Sequence, residues 1–322
     1  MTVTQEQADW FHDAFTRLVG NVDRAILGKR DVIRLVVTAM LTDGHVLLED
    51  VPGTGKTQLA KALANTLDGS NSRIQFTPDL LPSDVTGVTI YDQHKGAFEF
   101  HRGPIFASVV LADEINRASP KTQSALLEVM EEGRVTVDGV AHDVGSPFMV
   151  IATQNPVEQA GTYTLPEAQL DRFLIKTSLG YPDHDTALAL LVDSSNRSRS
   201  QGVSPIIAPA SITAMAQLAA DVHVDPAVLD YLNRIVAATR EHPDTTLGVS
   251  MRGALALARA VKTWAISQGR TYATPDDVRE LAEPVLAHRV IVDPESSFRG
   301  VTAAQVVGGC VAEVDPPAYR AA

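Results

Sequence analysis

The stretch HVLLEDVPGTGKTQLAKALANTL (45–67) decides the fold. Residues 45–49 form a short apolar run, and 56–67 place Leu59, Ala60, Leu63 and Leu67 at helical spacing. Between them, DVPGTGKT (50–57) is built of small residues. A strand that enters a helix through such a loop curls backbone N–H groups around an anion, where the helix dipole favours negative charge. The spacing predicts a phosphate-binding loop made by Asp50, Pro52, Gly53, Thr54, Gly55, Lys56, Thr57 and Gln58. Lys56 would reach the β- and γ-phosphates of a nucleotide, and the Thr57 hydroxyl would bind Mg²⁺. Asp50 stands where the general pattern has glycine.

Working outward, four more apolar runs occur at 74–77, 109–114, 148–153 and 173–179, separated by helical segments. This alternation predicts an α/β fold with a parallel sheet covered on both faces. Upstream, residues 4–41 read as two amphipathic helices broken around Gly28, and a later helix starts at Ser119-Pro120 and stops at Gly133. Two hairpins interrupt the alternation. One, at 134–144, turns on Asp138-Gly139; the other, at 86–102, sets Val88 and Ile90 opposite Phe98 and Phe100. After Pro182 only helices are expected, capped by Asp225, Ser250 and Thr274. The resulting division is an α/β domain over 1–185, a Ser-rich linker over 186–205, an all-α domain over 206–292 and a partly disordered tail over 293–322.

Composition narrows the function. With 39 acidic against 27 basic side chains the net charge is −12, which disfavours any role resting on non-specific neutralisation of nucleic-acid phosphates. One cysteine, Cys310, excludes an intramolecular disulfide and a Cys-based zinc site. No run reaches the ~18 apolar residues of a membrane span. The opening MTVTQEQADW lacks a basic region followed by an apolar one, so cytoplasmic location is the expectation.

Beyond the loop, chemistry gathers at strand ends. VVLADE (109–114) ends in two carboxylates: Asp113 is placed to hold the Mg²⁺ water shell and Glu114 to polarise an attacking water. The run 148–153 leads into Gln154-Asn155-Pro156, and in a parallel sheet such a tip faces the ligand crevice, so Asn155 is a candidate for positioning the water. Arg172 precedes the last strand and Arg252 opens a helix of the second domain; each alone reads as readily as a surface ion pair.

Together LLEDVPGTGKT (47–57), LADEINRASPKTQSALLEVMEEGRVTVDG (111–139), ATQNPVEQAGTYTLPEAQLDRF (152–173) and MRGALAL (251–257) closely resemble the MoxR family of AAA+ ATPases. The resemblance covers roughly residues 5–315, and that family also carries Asp at the start of its loop. It implies a P-loop AAA+ domain with two inserted hairpins followed by a helical lid. Further implications are Mg-dependent ATP hydrolysis and a homo-oligomeric ring, usually a hexamer, with ATP between subunits. By resemblance, Lys56 and Thr57 match Walker A, Asp113 and Glu114 Walker B, Asn155 sensor 1, Arg172 the arginine finger and Arg252 sensor 2. Arg117 falls near the subunit boundary. The family further implies chaperone-like maturation of partner complexes, often beside a protein with a von Willebrand factor A domain. Two other functions fit a loop of this kind. A nucleic-acid motor or clamp loader would want basic and aromatic residues in the hairpins; 86–102 holds Tyr91, Phe98, Phe100, Lys95 and Arg102 but also Asp92 and Glu99, and 134–144 offers one Arg against two Asp, which is no convincing basic track. A P-loop kinase would not need Glu114, Arg172 or Arg252.

Overall fold

The structure, a computed structural model, describes residues 3–51, 53–155, 162–192 and 202–317. Two helices come first, α1 (Gln5–Asp23), opened by a Thr4–Gln7 capping box, and α2 (Arg30–Met40). Between them Gly28 has φ +71°, and a Cβ there would lie 2.6 Å from the Thr186 hydroxyl, so glycine is required on two counts.

The five runs read from the sequence form one parallel sheet. Its strands are β1 (Val46–Glu49), β2 (Asn71–Gln75), β5 (Val109–Asp113), β8 (Met149–Gln154) and β9 (Ile175–Thr177), in the order β2-β5-β8-β1-β9. Alternate residues divide between two cores. Val46, Leu48, Val109, Leu111 and Ile151 pack with α1, α2, α3 (Lys56–Thr66) and the C-terminal helices. Leu47, Val110, Ala112, Val150 and Ala152 face the opposite core with α5 (Pro120–Glu132). A sheet buried on both faces explains why its central strands are apolar at successive positions.

Strand limits depart from the apolar runs where polar groups intervene. β2 begins at Asn71 rather than at 74, because an edge strand needs one buried face and Ile74 alone supplies it. β9 keeps only three of the seven expected residues. On one side the Phe173 carbonyl accepts from Arg289 at 2.7 Å; on the other the Leu179 and Gly180 N–H groups donate to Asp50 at 2.6 and 2.8 Å.

The α4 helix (Pro82–Thr86) leads into a hairpin of β3 (Gly87–Asp92) and β4 (Ala97–Arg102), and α5 into one of β6 (Arg134–Val137) and β7 (Val140–Asp143). The expected pairing of the first hairpin is corrected. Thr89 lies opposite Phe100 and Tyr91 opposite Phe98, while Val88 and Ile90 face His101 and Glu99. The four-residue connection 93–96 sets this register, and a one-residue slip moves every side chain to the other face.

After the short α6 (Glu167–Leu170) and β9 come α7 (His184–Val192), α8 (Pro209–Ala220), α9 (Pro226–Glu241), α10 (Met251–Ser267) and α11 (Pro275–Leu286). Residues 193–201 of the Ser-rich linker lie outside the described residues. The expectation of helices alone beyond 182 is corrected by an antiparallel pair, β10 (Thr245–Leu247) with β11 (Ile291–Val292); elements so short carry no periodic signal. The weakly periodic stretch past 292 holds α12 (Pro294–Phe298) and α13 (Ala303–Glu313), whose Val306, Val307 and Cys310 are buried. Removing residues 303–322 therefore strips two fully buried valines from the core and should lower unfolding stability by at least ~3 kcal/mol in urea titration.

At the amino end of β1, His45 is buried between layers. Its Nδ1 accepts from the Val150 N–H at 3.0 Å, so Nε2 carries the proton and donates to the Met130 carbonyl at 3.0 Å. Burial pushes its pKa down from 6.5 to about 4. The unfolded chain takes up this proton near its ordinary pKa and the folded one only near 4, so stability falls as pH falls through that window. The ring should contribute a loss of about 2 kcal/mol between pH 7 and pH 5. His45→Gln, though less stable at pH 7, should show a correspondingly smaller decline; an identical decline in urea unfolding at the two pH values would overturn the assignment.

Candidate functional site

The loop after β1 is held open from below. Asp50 is buried, and its carboxylate accepts from the Ser178 hydroxyl at 3.0 Å and the Leu179 and Gly180 N–H groups at 2.6 and 2.8 Å. It points into the protein and ties the loop to the chain leaving β9. Gly53 and Gly55 adopt φ +87° and +99°; a Cβ at either would meet nothing closer than Ile26 Cδ1 at 4.0 Å, so the space above the loop is clear. Lys56 Nζ donates to the Asp50 and Val51 carbonyls at 3.1 and 3.4 Å, and the Thr54 hydroxyl to the Val51 carbonyl at 3.4 Å. Thr57 and Gln58 lie in the first turn of α3, at the end of the helix whose dipole favours an anion. Pro52 lies outside the described residues. This donor set, one ammonium and a helix N-terminus beneath open space, fits a polyphosphate.

Level with the loop, the tips of β2, β5 and β8 converge. The Thr153 hydroxyl donates to Asp113 Oδ1 at 2.6 Å and accepts from the Glu114 N–H at 2.9 Å. Arg73 Nη2 pairs with Asp113 Oδ2 at 2.7 Å. Glu114 sits at φ +58°, ψ +48°, a left-handed backbone that costs a non-glycine residue about 1–2 kcal/mol and turns its side chain out of the strand. Its Oε2 accepts from Gln75 at 3.0 Å and pairs with Arg117 at 3.1 Å. Asn155 is buried directly after β8. The oxygen donors Thr57 and Asp113 suit a hard divalent cation, with Arg73 the side chain that must yield one Asp113 oxygen. Among the described residues no cluster of three His, Cys, Asp or Glu forms a separate metal site.

Arg172 and Arg252 are elsewhere. Both pair with one carboxylate of α5: Arg172 Nη2 with Glu131 Oε2 at 3.0 Å, and Arg252 Nη1 with Glu131 Oε1 at 3.1 Å. Behind them buried Arg289 donates Nε to Asp171 at 2.6 Å. Arg259 completes this cleft, which reaches Gly44 and His45 just before β1. It thus sits at the amino end of the sheet, whereas Lys56 and Asp113 sit at the carboxyl end. Four residues of β1 at ~3.3 Å each separate the two by more than 10 Å.

Sequence reasoning missed Arg73, Gln75, Thr153 and Glu131. Each acts across strands or between domains, and neighbour order in a sheet leaves no trace in spacing. A cavity of about 850 Å³ is neither site; it lies between α2, β9 and α11, with mixed charges such as the Lys176–Glu49 pair at 2.7 Å.

Comparison with known proteins agrees with this geometry. Residues 45–175 match the family of ATPases associated with various cellular activities (AAA), and 237–308 match the AAA lid domain. The chain is 47% identical to Bacillus subtilis YeaC, itself uncharacterized, over 97% of both chains. It is 40% identical to the chaperone MoxR1 of Mycobacterium tuberculosis, over 86% of this chain and 75% of that one, and 31% identical to protein MoxR of Paracoccus denitrificans, over 89% and 91%. The crystal structure of a candidate ATPase from Cytophaga hutchinsonii superposes with a TM-score of 0.90 at 37% identity, covering 97% of this chain and 98% of that one. No helix among the described residues is long and apolar enough to cross a membrane. An AAA domain followed by its lid, with similarity over 86% and 89% of the chain to MoxR1 and MoxR, places this chain in the MoxR family of AAA+ ATPases.

Proposed function

We propose that the chain hydrolyses ATP at sites shared between neighbouring subunits of a ring, hexameric as the family implies, and uses the cycle to remodel a partner protein complex in the cytoplasm. The observation that carries this reading is the separation of Lys56 from Arg172 and Arg252 across the sheet. A nucleotide cradled at the carboxyl end of β1 is out of reach of either arginine of its own subunit, so the two cations serve a nucleotide held next door.

Within one subunit the roles follow from position. Lys56 and the first turn of α3 bind the phosphates. Thr57 and Asp113 would hold Mg²⁺, which when bound offsets charge on the β- and γ-phosphates. Glu114, displaced from the strand by its left-handed backbone, takes the proton of the attacking water, and Asn155 orients that water. Gln75 and Arg117 hold the Glu114 carboxylate until then. From the neighbour, Arg172 and Arg252 stabilise the charge on the transferring phosphoryl group.

The client side is less specified by chemistry. Phe98, Tyr91, Ile90, Val88 and Val140 are exposed on the two hairpins, which Phe100 and His142 join by stacking at 4.0 Å between ring centroids. Exposed aromatic and aliphatic side chains on paired hairpins favour contact with a protein, such as one bearing a von Willebrand factor A domain.

Two measurements separate binding from chemistry. Lys56→Ala should weaken ATP binding severely in isothermal titration, because the charge facing the phosphates is gone. Glu114→Gln should bind ATP near-normally yet hydrolyse it roughly a hundredfold more slowly, the scale of a lost general base. Wild-type turnover in Glu114→Gln would return that residue to a structural role.

Shared sites make a further demand. Arg172→Ala and Lys56→Ala, each inactive alone, should recover turnover when mixed, since some interfaces then pair an intact loop with intact arginines. An arginine supplied by a neighbour is worth about 10³–10⁵ in rate in other phosphate-hydrolysing systems. Steady-state ATPase across mixing ratios reads this, with ring formation followed by light scattering. Mixed rings as dead as their parts would sink the shared site.

A further inference from the structure

We propose that Glu131 is a positioning residue for the trans-acting arginines: its carboxylate holds Arg172 and Arg252 as a pair, spaced to receive one anionic group, the terminal phosphate bound to the neighbouring subunit. The inference rests on the shared-site reading above. Arg172 comes from the chain just before β9 and Arg252 from the first turn of α10; the Ser250 hydroxyl, 3.4 Å from Asp171, draws the two segments together, and Glu131 is the carboxylate that pairs with both guanidinium groups. One oxygen of Glu131 takes each, at 3.0 and 3.1 Å.

Other nearby carboxylates are committed. Glu132 pairs with Arg134 at 2.8 Å, and Asp171 is engaged by buried Arg289 at 2.6 Å and lies 3.9 Å from Arg252. Stability does not account for the arrangement. The Glu131, Arg172 and Arg252 side chains are 41%, 26% and 45% exposed, and pairs that open to water add little to folding. Function does account for it. Each guanidinium has five N–H donors in a fixed fork, and Glu131 engages one nitrogen of each, leaving donors for a second anion. Without the carboxylate, two cations converge with Asp171 as the remaining counter-charge, and like charges drive them apart. A displacement of about 1 Å in groups that orient a reaction can lower the rate 10²-fold.

The test uses the mixture of Arg172→Ala and Lys56→Ala, in which recovered turnover arises only where arginines of the Lys56→Ala chain face the loop of the Arg172→Ala chain. Adding Glu131→Ala to the Lys56→Ala chain should lower recovered turnover at least tenfold. Added instead to the Arg172→Ala chain, whose arginine face is already disabled, it should leave recovery in place. Glu131→Gln keeps the volume but offers one oxygen and an amide N–H, so it holds one arginine and should also lower turnover when carried by the Lys56→Ala chain. If Glu131→Ala destabilises its chain, seen in circular dichroism, the Gln variant decides alone.

Full recovery with either variant on the Lys56→Ala chain would overturn the inference. So would an equal loss from both placements, which marks a loosened lid rather than positioned arginines. If the parent mixture forms mixed rings without turnover, the shared site itself fails, and that result is distinct from either of these.

Discussion

Because the five strands all run the same way, their carboxyl tips share one edge of the sheet and their starts share the other. The placement of the candidate phosphate-binding residues follows from that direction. The loop after β1, the two carboxylates after β5 and Asn155 after β8 are near in space because strand tips in register must be near. Arg172 precedes β9 and is thereby sent to the far edge, where α10 delivers Arg252 beside it. Both arginines therefore lie at the opposite edge of the sheet from the loop of their own subunit.

Asp50 sets the loop's height above that edge. A buried carboxylate is tolerable only with its lone pairs satisfied, and here one hydroxyl and two backbone N–H groups satisfy it. The same three bonds pull the chain out of β9 early and carry it towards α7, beside Gly28. Loop, strand end and domain connection are therefore one hydrogen-bonded unit. A glycine at this position, as in the general pattern, would leave the Leu179 and Gly180 N–H groups to find other acceptors.

What could be read in advance divides by range. The order of strands and helices, the loop, the Asp113-Glu114 tip, the Asp138-Gly139 turn and the caps at Asp225 and Ser250 are written in residues adjacent or a few positions apart, and the structure has them. Misreadings came where a distant partner decides. The register of β3 on β4 depends on the length of their connection, β9 is cut short by Asp50 and Arg289, and α13 carries a weak pattern because its neighbours are helices far upstream. At the site, Arg73 and Gln75 reach Asp113 and Glu114 only because β2 lies against β5, and nothing in sequence separations of 40 and 39 positions announces it.

The lid meets the α/β domain through ion pairs of unlike strength, and burial ranks Arg289–Asp171 above Arg252–Glu131. Arg289 is 3% exposed and bonded to Asp171 and to the Asp171 and Phe173 carbonyls. Separating such a pair leaves a buried charge unmet, at about 3–5 kcal/mol. Arg252 with Glu131 is 45% and 41% exposed, a contact of the order of 1 kcal/mol or less. Both contacts anchor the lid near the same cleft, yet only the second can exchange partners at small cost. On the shared-site proposal, an anion presented by a neighbouring subunit would compete for Arg252 and leave Arg289 in place. The lid keeps a fixed point at Asp171, and on the shared-site proposal the first turn of α10 would respond to the occupancy of a site on another chain.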